Sequence, residues 1–144
     1  ISYTNNFFFK KKNLKIEPKN IYDLKLYSVG IIAGYPYGKK FDQVNFNTET
    51  ISSREQVIGN LKKLSAGRID LFACELPSCK YFINKYPDKF SEIDYIESLS
   101  IDDVSSYYLG FSKKDPIKSE KLLKIFNAEL KKYIAEGNYI EGAY

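Results

Sequence analysis

The chain has 144 residues, 44% of them hydrophobic and 28% charged, the size and balance of one ordinary globular domain. No window approaches the roughly 18 uninterrupted apolar residues that span a bilayer, and 13 Tyr with 10 Phe exclude a disordered chain. The net charge of +4 comes almost wholly from lysine, since Arg54 and Arg68 are the only arginines. A nucleic-acid interface, which draws on the bidentate arginine fork, is therefore not expected.

Histidine is absent, which removes the commonest general base and metal ligand and every Ser-His or Cys-His nucleophile arrangement. Cys74 and Cys79 stand too alone for a zinc site. Two buried thiols are the simpler expectation, and a local disulfide is the alternative that suits an oxidising compartment. No metal and no cofactor are expected. The chain opens at Ile1 and contains no Met, which predicts that the initiator end was removed by processing or trimming.

In chain order, Ile1 to Lys10 is rich in β-branched and aromatic residues and reads as a strand, punctuated later by Pro18 and Asn20. Residues 21–26 suit a single helical turn. Val29 to Ala33 is an apolar run too short for a helix, so it reads as a strand covered on both faces. A helix over 39–44 and a strand over 44–49 follow. Ser53 with Gln56 three residues on has the form of a capping box, and Val57, Ile58, Leu61 and Leu64 recur at helical spacing until Gly67.

Ile69 to Cys74 is another short buried strand. A helix over 76–86 follows, with Pro77 in its first turn and Pro87 just beyond its end. Ile93 to Glu97 looks like the next strand, and residues 105–114 resemble the opening segment and invite pairing with it. The strongest helix is 119–136, with Leu122, Leu123, Ile125, Phe126, Leu130, Tyr133 and Ile134 on one stripe that needs a surface to bury it. Short apolar strands alternating with helices imply an α/β fold with a mainly parallel sheet, which takes ligands at the carboxyl ends of its strands.

Three features sit at such ends. Gly34 lets a ligand approach the backbone, and the helix start beyond it offers N–H groups to an anion, although a simple tight turn would use the same glycine. Glu75 follows the 69–74 strand and suits a ligand ammonium, or else serves as a first-turn acid on the next helix. Tyr35 and Tyr37 flank Pro36 and either wall a pocket or pack in the core.

The segments Asp23-Leu24-Lys25, then Val29-Gly30-Ile31-Ile32-Ala33-Gly34-Tyr35, then Leu64-Ser65-Ala66-Gly67-Arg68-Ile69-Asp70 come in a telling order. Tyr108 to Lys113, Phe126-Asn127 with Leu130, and Glu136 to Ile140 with Tyr144 continue the series. Together they make the chain resemble a bacterial extracellular solute-binding protein of family 3, the amino-acid-binding type, over nearly its whole length. The resemblance implies a type II periplasmic-binding-protein-like lobe with the first lobe largely absent. It assigns residues 1–13 to a hinge strand, 20–104 to lobe 2, 105–114 to the return hinge strand, and 115–144 to a C-terminal helix region that normally packs on lobe 1.

The same resemblance places Ile32, Gly34, Tyr35, Pro36 and Tyr37 on the turn that lines a ligand carboxylate, and Glu75 on the acid that pairs with its α-amino group. Pro36 departs from the Thr or Ser usual there and provides neither hydroxyl nor N–H. The implied function is non-catalytic: capture of an amino acid or related amine, in the periplasm or outside the cell, for delivery to a membrane transporter permease. A sensory input module joined to a signalling domain is the alternative. A cyclohexadienyl dehydratase-like enzyme, with Glu75 and the Tyr35 and Tyr37 hydroxyls in the cleft, is a more distant one. The unmatched helix stripe predicts that the isolated chain dimerises through that helix or folds it onto its own lobe.

Overall fold

The computed structural model describes residues 3–51, 55–101, 105–106 and 109–137. The chain divides into two compact units, Thr4–Ser105 and Ile1–Tyr3 with Ser106–Tyr144. Strand β1 (Tyr3–Thr4) pairs with β7 (Ser105–Ser106) as a two-stranded sheet where the chain passes from one unit to the other.

The larger unit is built on a five-stranded sheet of β2 (Asn6–Lys11), β3 (Ser28–Gly30), β4 (Asn47–Glu49), β5 (Leu71–Glu75) and β6 (Ile93–Ser100), in the order β4-β3-β5-β2-β6. Strand β3 is parallel to β4 and β5, while β2 is antiparallel to both β5 and β6, so one strand of five runs against the rest. Alternation along the central strands sorts the core into two layers. Phe8, Leu71 and Ala73 face one layer, with Leu24, Val29, Tyr37 and Phe41 from a 3-10 turn at Ile21–Leu24, from β3, and from the loop and helix α1 (Lys39–Val44). Phe9, Phe72 and Cys74 face the other, where α2 (Gln56–Ser65), α3 (Leu76–Lys85) and α4 (Pro87–Phe90) supply Leu61, Leu64, Cys79 and Phe90. Phe8, Phe9 and Phe72 are fully buried, each worth about 2–3 kcal/mol of apolar burial.

The Gly67 to Asp70 segment explains itself physically. Gly67 takes φ +68°, and its N–H donates to the Leu64 carbonyl at 3.0 Å while that of Arg68 donates to Lys63 at 2.9 Å, which ends α2. Ile69 packs against Gly30, where a Cβ would meet its Cδ1 at 2.5 Å. Asp70 accepts from the Ser28 N–H at 2.9 Å and from its hydroxyl at 2.7 Å, fixing the starts of β3 and β5 together.

Several expectations shift. The opening strand breaks at Asn5 into β1 and β2, and the expected long strand over 105–114 is ladder only at Ser105–Ser106, with residues 107–108 outside the described part. Helix α2 starts at Gln56 with Glu55 in the cap position and no side-chain cap, and Ser53 lies outside the described residues. The two cysteines are not thiols: Cys74 and Cys79 form a disulfide, Cα atoms 6.3 Å apart, both fully buried. The turn from β5 into α3 returns residue 79 beside residue 74, and composition alone carries no sign of that return.

In the smaller unit α5 (Pro116–Ala135) is capped by Asp115, whose Oδ1 accepts from the Lys118 N–H at 3.0 Å. None of its residues is buried. Leu122, Leu123, Ile125, Tyr133 and Ile134 are between 42% and 51% exposed, so the predicted stripe exists but stays half open. Phe111 meets Phe126 edge-on, ring centroids 6.4 Å apart. Among the described residues no helix is long and apolar enough to cross a membrane, and no group of three or more acids and cysteines is placed to hold a metal.

Candidate functional site

Strand β3 ends at Gly30, three residues before the apolar run does: the Ile31 N–H still reaches β4, and the backbone groups beyond it are taken by other partners. The Ile31 N–H donates to the Glu49 carbonyl at 2.9 Å, and the Ile31 carbonyl accepts from the Asn60 amide at 3.2 Å. The Ile32 N–H donates to the Tyr37 hydroxyl at 2.9 Å, and the Ala33 N–H to Gln56 Oε1 at 2.7 Å. The Tyr35 N–H then closes the turn on the Ile32 carbonyl at 3.2 Å. Gly34, at φ +76° with open space where a Cβ would stand, supplies the left-handed residue this turn requires.

Tyr37 is placed in the core at 4% exposure, between Tyr35 at 5.1 Å and Phe41 at 4.8 Å by ring centroids. Its hydroxyl accepts from Ile32 and donates to the Ala73 carbonyl at 2.9 Å, so it braces the loop against β5. Burial pushes the phenol well above its ordinary pKa, the Ile32 N–H pulls the other way, and the neighbouring Tyr35 adds to the rise. Tyr35 is half-buried, and Ala33, Gly34 and Pro36 are exposed. Helix α1 begins at Lys39, behind a Gly38 at φ +89°, so its first turn is separated from Gly34 by four residues.

Glu75 is the last residue of β5 and the cap position of α3, yet its side chain makes no capping hydrogen bond to the helix backbone. Its Oε2 accepts from the Ser78 hydroxyl at 2.7 Å. The strand alternation that sends Ala73 towards Tyr37 sends Glu75 to the same side. The register Gly30 to Phe72 brings the ends of β3 and β5 to one end of the sheet. The fold thus gathers residues 32–37 in one loop and sets Glu75 on the neighbouring strand. A depression of about 440 Å³ on the α2 and α3 side is lined by Ile32, Gln56, Val57, Phe82, Lys85 and Tyr86, among others, and of the six candidate residues takes only Ile32.

Sequence reasoning missed Gln56 and Asn60, which hold the loop from 23 and 29 residues away. Asn60 did carry a signal: it is a fully buried polar residue inside the apolar stripe of α2, and it also donates to the Gln56 carbonyl at 3.0 Å.

No family model matches the chain, and no curated protein is found as a relative. Solved structures do match. A mutant of the arginine-binding protein ArgBP from T. maritima is 18% identical, covering 95% of this chain and 55% of its own, with a TM-score of 0.67. The GluR0 ligand-binding core in complex with L-glutamate is 12% identical (93% and 57%, TM-score 0.65). An arginine transport-system periplasmic binding protein from Legionella pneumophila is 21% identical (96% and 59%, TM-score 0.63). The chain spans little more than half the length of these structures. At such identities the likeness establishes the fold: a periplasmic-binding-protein-like α/β lobe, its mainly parallel sheet flanked by helices.

Proposed function

We propose that the chain belongs to an extracytoplasmic solute-binding protein that captures a small polar ligand, an amino acid or related amine, and passes it to a membrane permease without chemical change. The carrying observation is Glu75, an acid placed as the last residue of β5, at the same end of the sheet as the 32–37 loop, in a fold matched by amino-acid-binding proteins. In this reading Glu75 pairs with the ligand ammonium, and Gly34, Tyr35 and Pro36 form the opposite wall. Tyr37 and Ile32 keep that wall in place. Residues 20–104 act as one lobe, and 1–13 and 105–114 as its hinge strands. The matched structures are binding proteins, which favours this reading over a dehydratase.

The test is a thermal-shift screen of the chain against L-amino acids, polyamines and small organic acids. A ligand at about 100 times its Kd adds about 2.7 kcal/mol of stability. A shift with one class that is lost in Glu75→Gln, itself still folded by circular dichroism, supports the proposal. A screen in which no compound shifts the transition overturns it. A ligand-sensing input module is the second reading, favoured by the likeness to the GluR0 ligand-binding core, and cross-linking to a signalling domain instead of a permease would decide for it. Self-association through α5 is a separate proposal, checked by light scattering across a concentration series: a dimer supports it and a monomer removes it.

A further inference from the structure

Glu75 stands inside a ring of six residues, Cys74 to Cys79, closed by the disulfide that links positions five apart where β5 turns into α3. Both cysteines are fully buried: Cys74 lies opposite Phe7 on β2, and Cys79 packs in the layer of Phe9, Leu61 and Leu64. Between these anchors Pro77 has its φ fixed by its own side chain, and the Leu76 N–H donates to the Asn5 carbonyl at 3.2 Å. The Ser78 hydroxyl donates to Glu75 Oε2 at 2.7 Å, so the carboxylate is tied to the far side of its own ring.

A bridge over so few residues adds less to the stability of the whole unit than one across a long loop, because the closure entropy it removes grows with loop length. Its effect is local: it limits the directions in which the first turn of α3 can leave β5. An acid at a helix start ordinarily serves by accepting from backbone N–H groups, and the Glu75 side chain makes no such bond to α3. Here the donor is another side chain. A hydroxyl gives the carboxylate a fixed direction while lone pairs remain on it for a cation. Glu75 is the only charged residue of the ring and is partly exposed, whereas both closing residues are sealed.

We propose that Cys74, Cys79 and Ser78 are positioning residues for Glu75, and that they preset its carboxylate to receive the ammonium of a bound solute. This rests on the solute-binding reading above and adds what prepares its acid. A glutamate has several rotatable bonds, and a rotamer settled before binding need not be ordered at the moment of capture. The gain therefore falls on affinity for the ammonium, and only the bridge adds to the stability of the fold.

The experiment is a calorimetric titration of the full chain and its variants with amino acids and their deamino analogues: L-arginine with δ-guanidinovalerate, L-glutamine with glutaramate, and L-glutamate with glutarate. The members of each pair differ only in the α-ammonium. Ser78→Ala is expected to weaken an amino acid that binds by about tenfold, while its analogue and the urea midpoint stay as they were. Ser78→Thr, which keeps a hydroxyl, restores the affinity. Cys74→Ala combined with Cys79→Ala, corrected for the fraction folded by circular dichroism, narrows the same gap between the members of a pair. Equal weakening of both members, or no weakening, overturns this inference and leaves the solute-binding reading standing. The presetting is also read without any ligand: three-bond couplings at the Glu75 side chain should report one χ1 rotamer in the unaltered chain and averaging in Ser78→Ala. Averaged couplings in the unaltered chain overturn the inference on their own. No binding of any of the three amino acids overturns both.

Discussion

The centre of the sheet and helix α5 have similar shares of apolar residues and opposite fates. Strands β2 and β5 bury side chains on both faces, with Phe8, Phe9 and Phe72 at zero exposure, whereas the 20 residues of α5 bury none completely. Instead α5 carries local support: a capping aspartate and the pairs Lys124 with Glu120 and Lys132 with Glu129, each at 2.8 Å. Such exposed pairs are worth only about 0.3–0.5 kcal/mol. A two-faced strand draws its stability from long-range packing, and a one-striped helix from its own turns, so the same hydrophobicity has different worth in the two units.

The sharpest test of that contrast is Phe72→Ala set beside Leu123→Ala. The first should cost about 3–5 kcal/mol by urea denaturation and the second under about 1; equal losses would erase the distinction. Gly30→Ala comes next, at about 1–3 kcal/mol, because a Cβ would lie 2.6 Å from Asn60 Oδ1 as well as against Ile69. Reducing the Cys74–Cys79 bond should remove about 2 kcal/mol from the larger unit, while hydrogen exchange in α5 stays as it was.

Tyr37→Phe leaves the Ile32 N–H and the Ala73 carbonyl without their shared partner and should cost about 1–2 kcal/mol. It should also change the alkaline limb of stability. The folded phenol holds its proton above the unfolded value of about 10, so its contribution is complete below that pH and fades as pH rises beyond it. The phenylalanine variant should lack that component in urea midpoints compared at pH 8 and above pH 10. Smallest of all, Asp115→Ala should loosen the first turn of α5 by about 1 kcal/mol, seen as faster amide exchange at Lys118 with the sheet untouched.

Elements fixed by local chemistry were legible in the sequence. Pro77 and Pro87 bracket α3, Gly67 ends α2, and residues 39–44 form the helix that was expected. Elements decided by distant partners were not. The apolar run Val29 to Ala33 predicts a longer strand, but past the Ile31 N–H, which still bonds to β4, its backbone groups go to Asn60, Tyr37 and Gln56. Gly34 and Glu75 were visible because strand ends are visible. That Tyr37 is a brace follows from a hydroxyl meeting two backbone groups in the folded core, which no spacing rule reports.

The disulfide also constrains how the chain matures. Both sulfurs are inaccessible in the finished fold, so an enzyme-sized oxidant has to act before α3 settles on the sheet. Covalent closure and burial therefore come in a set order: oxidation by such an enzyme precedes the last step of packing. A chain that folded first under reducing conditions would seal its cysteines as thiols and lack the ring that encloses Glu75.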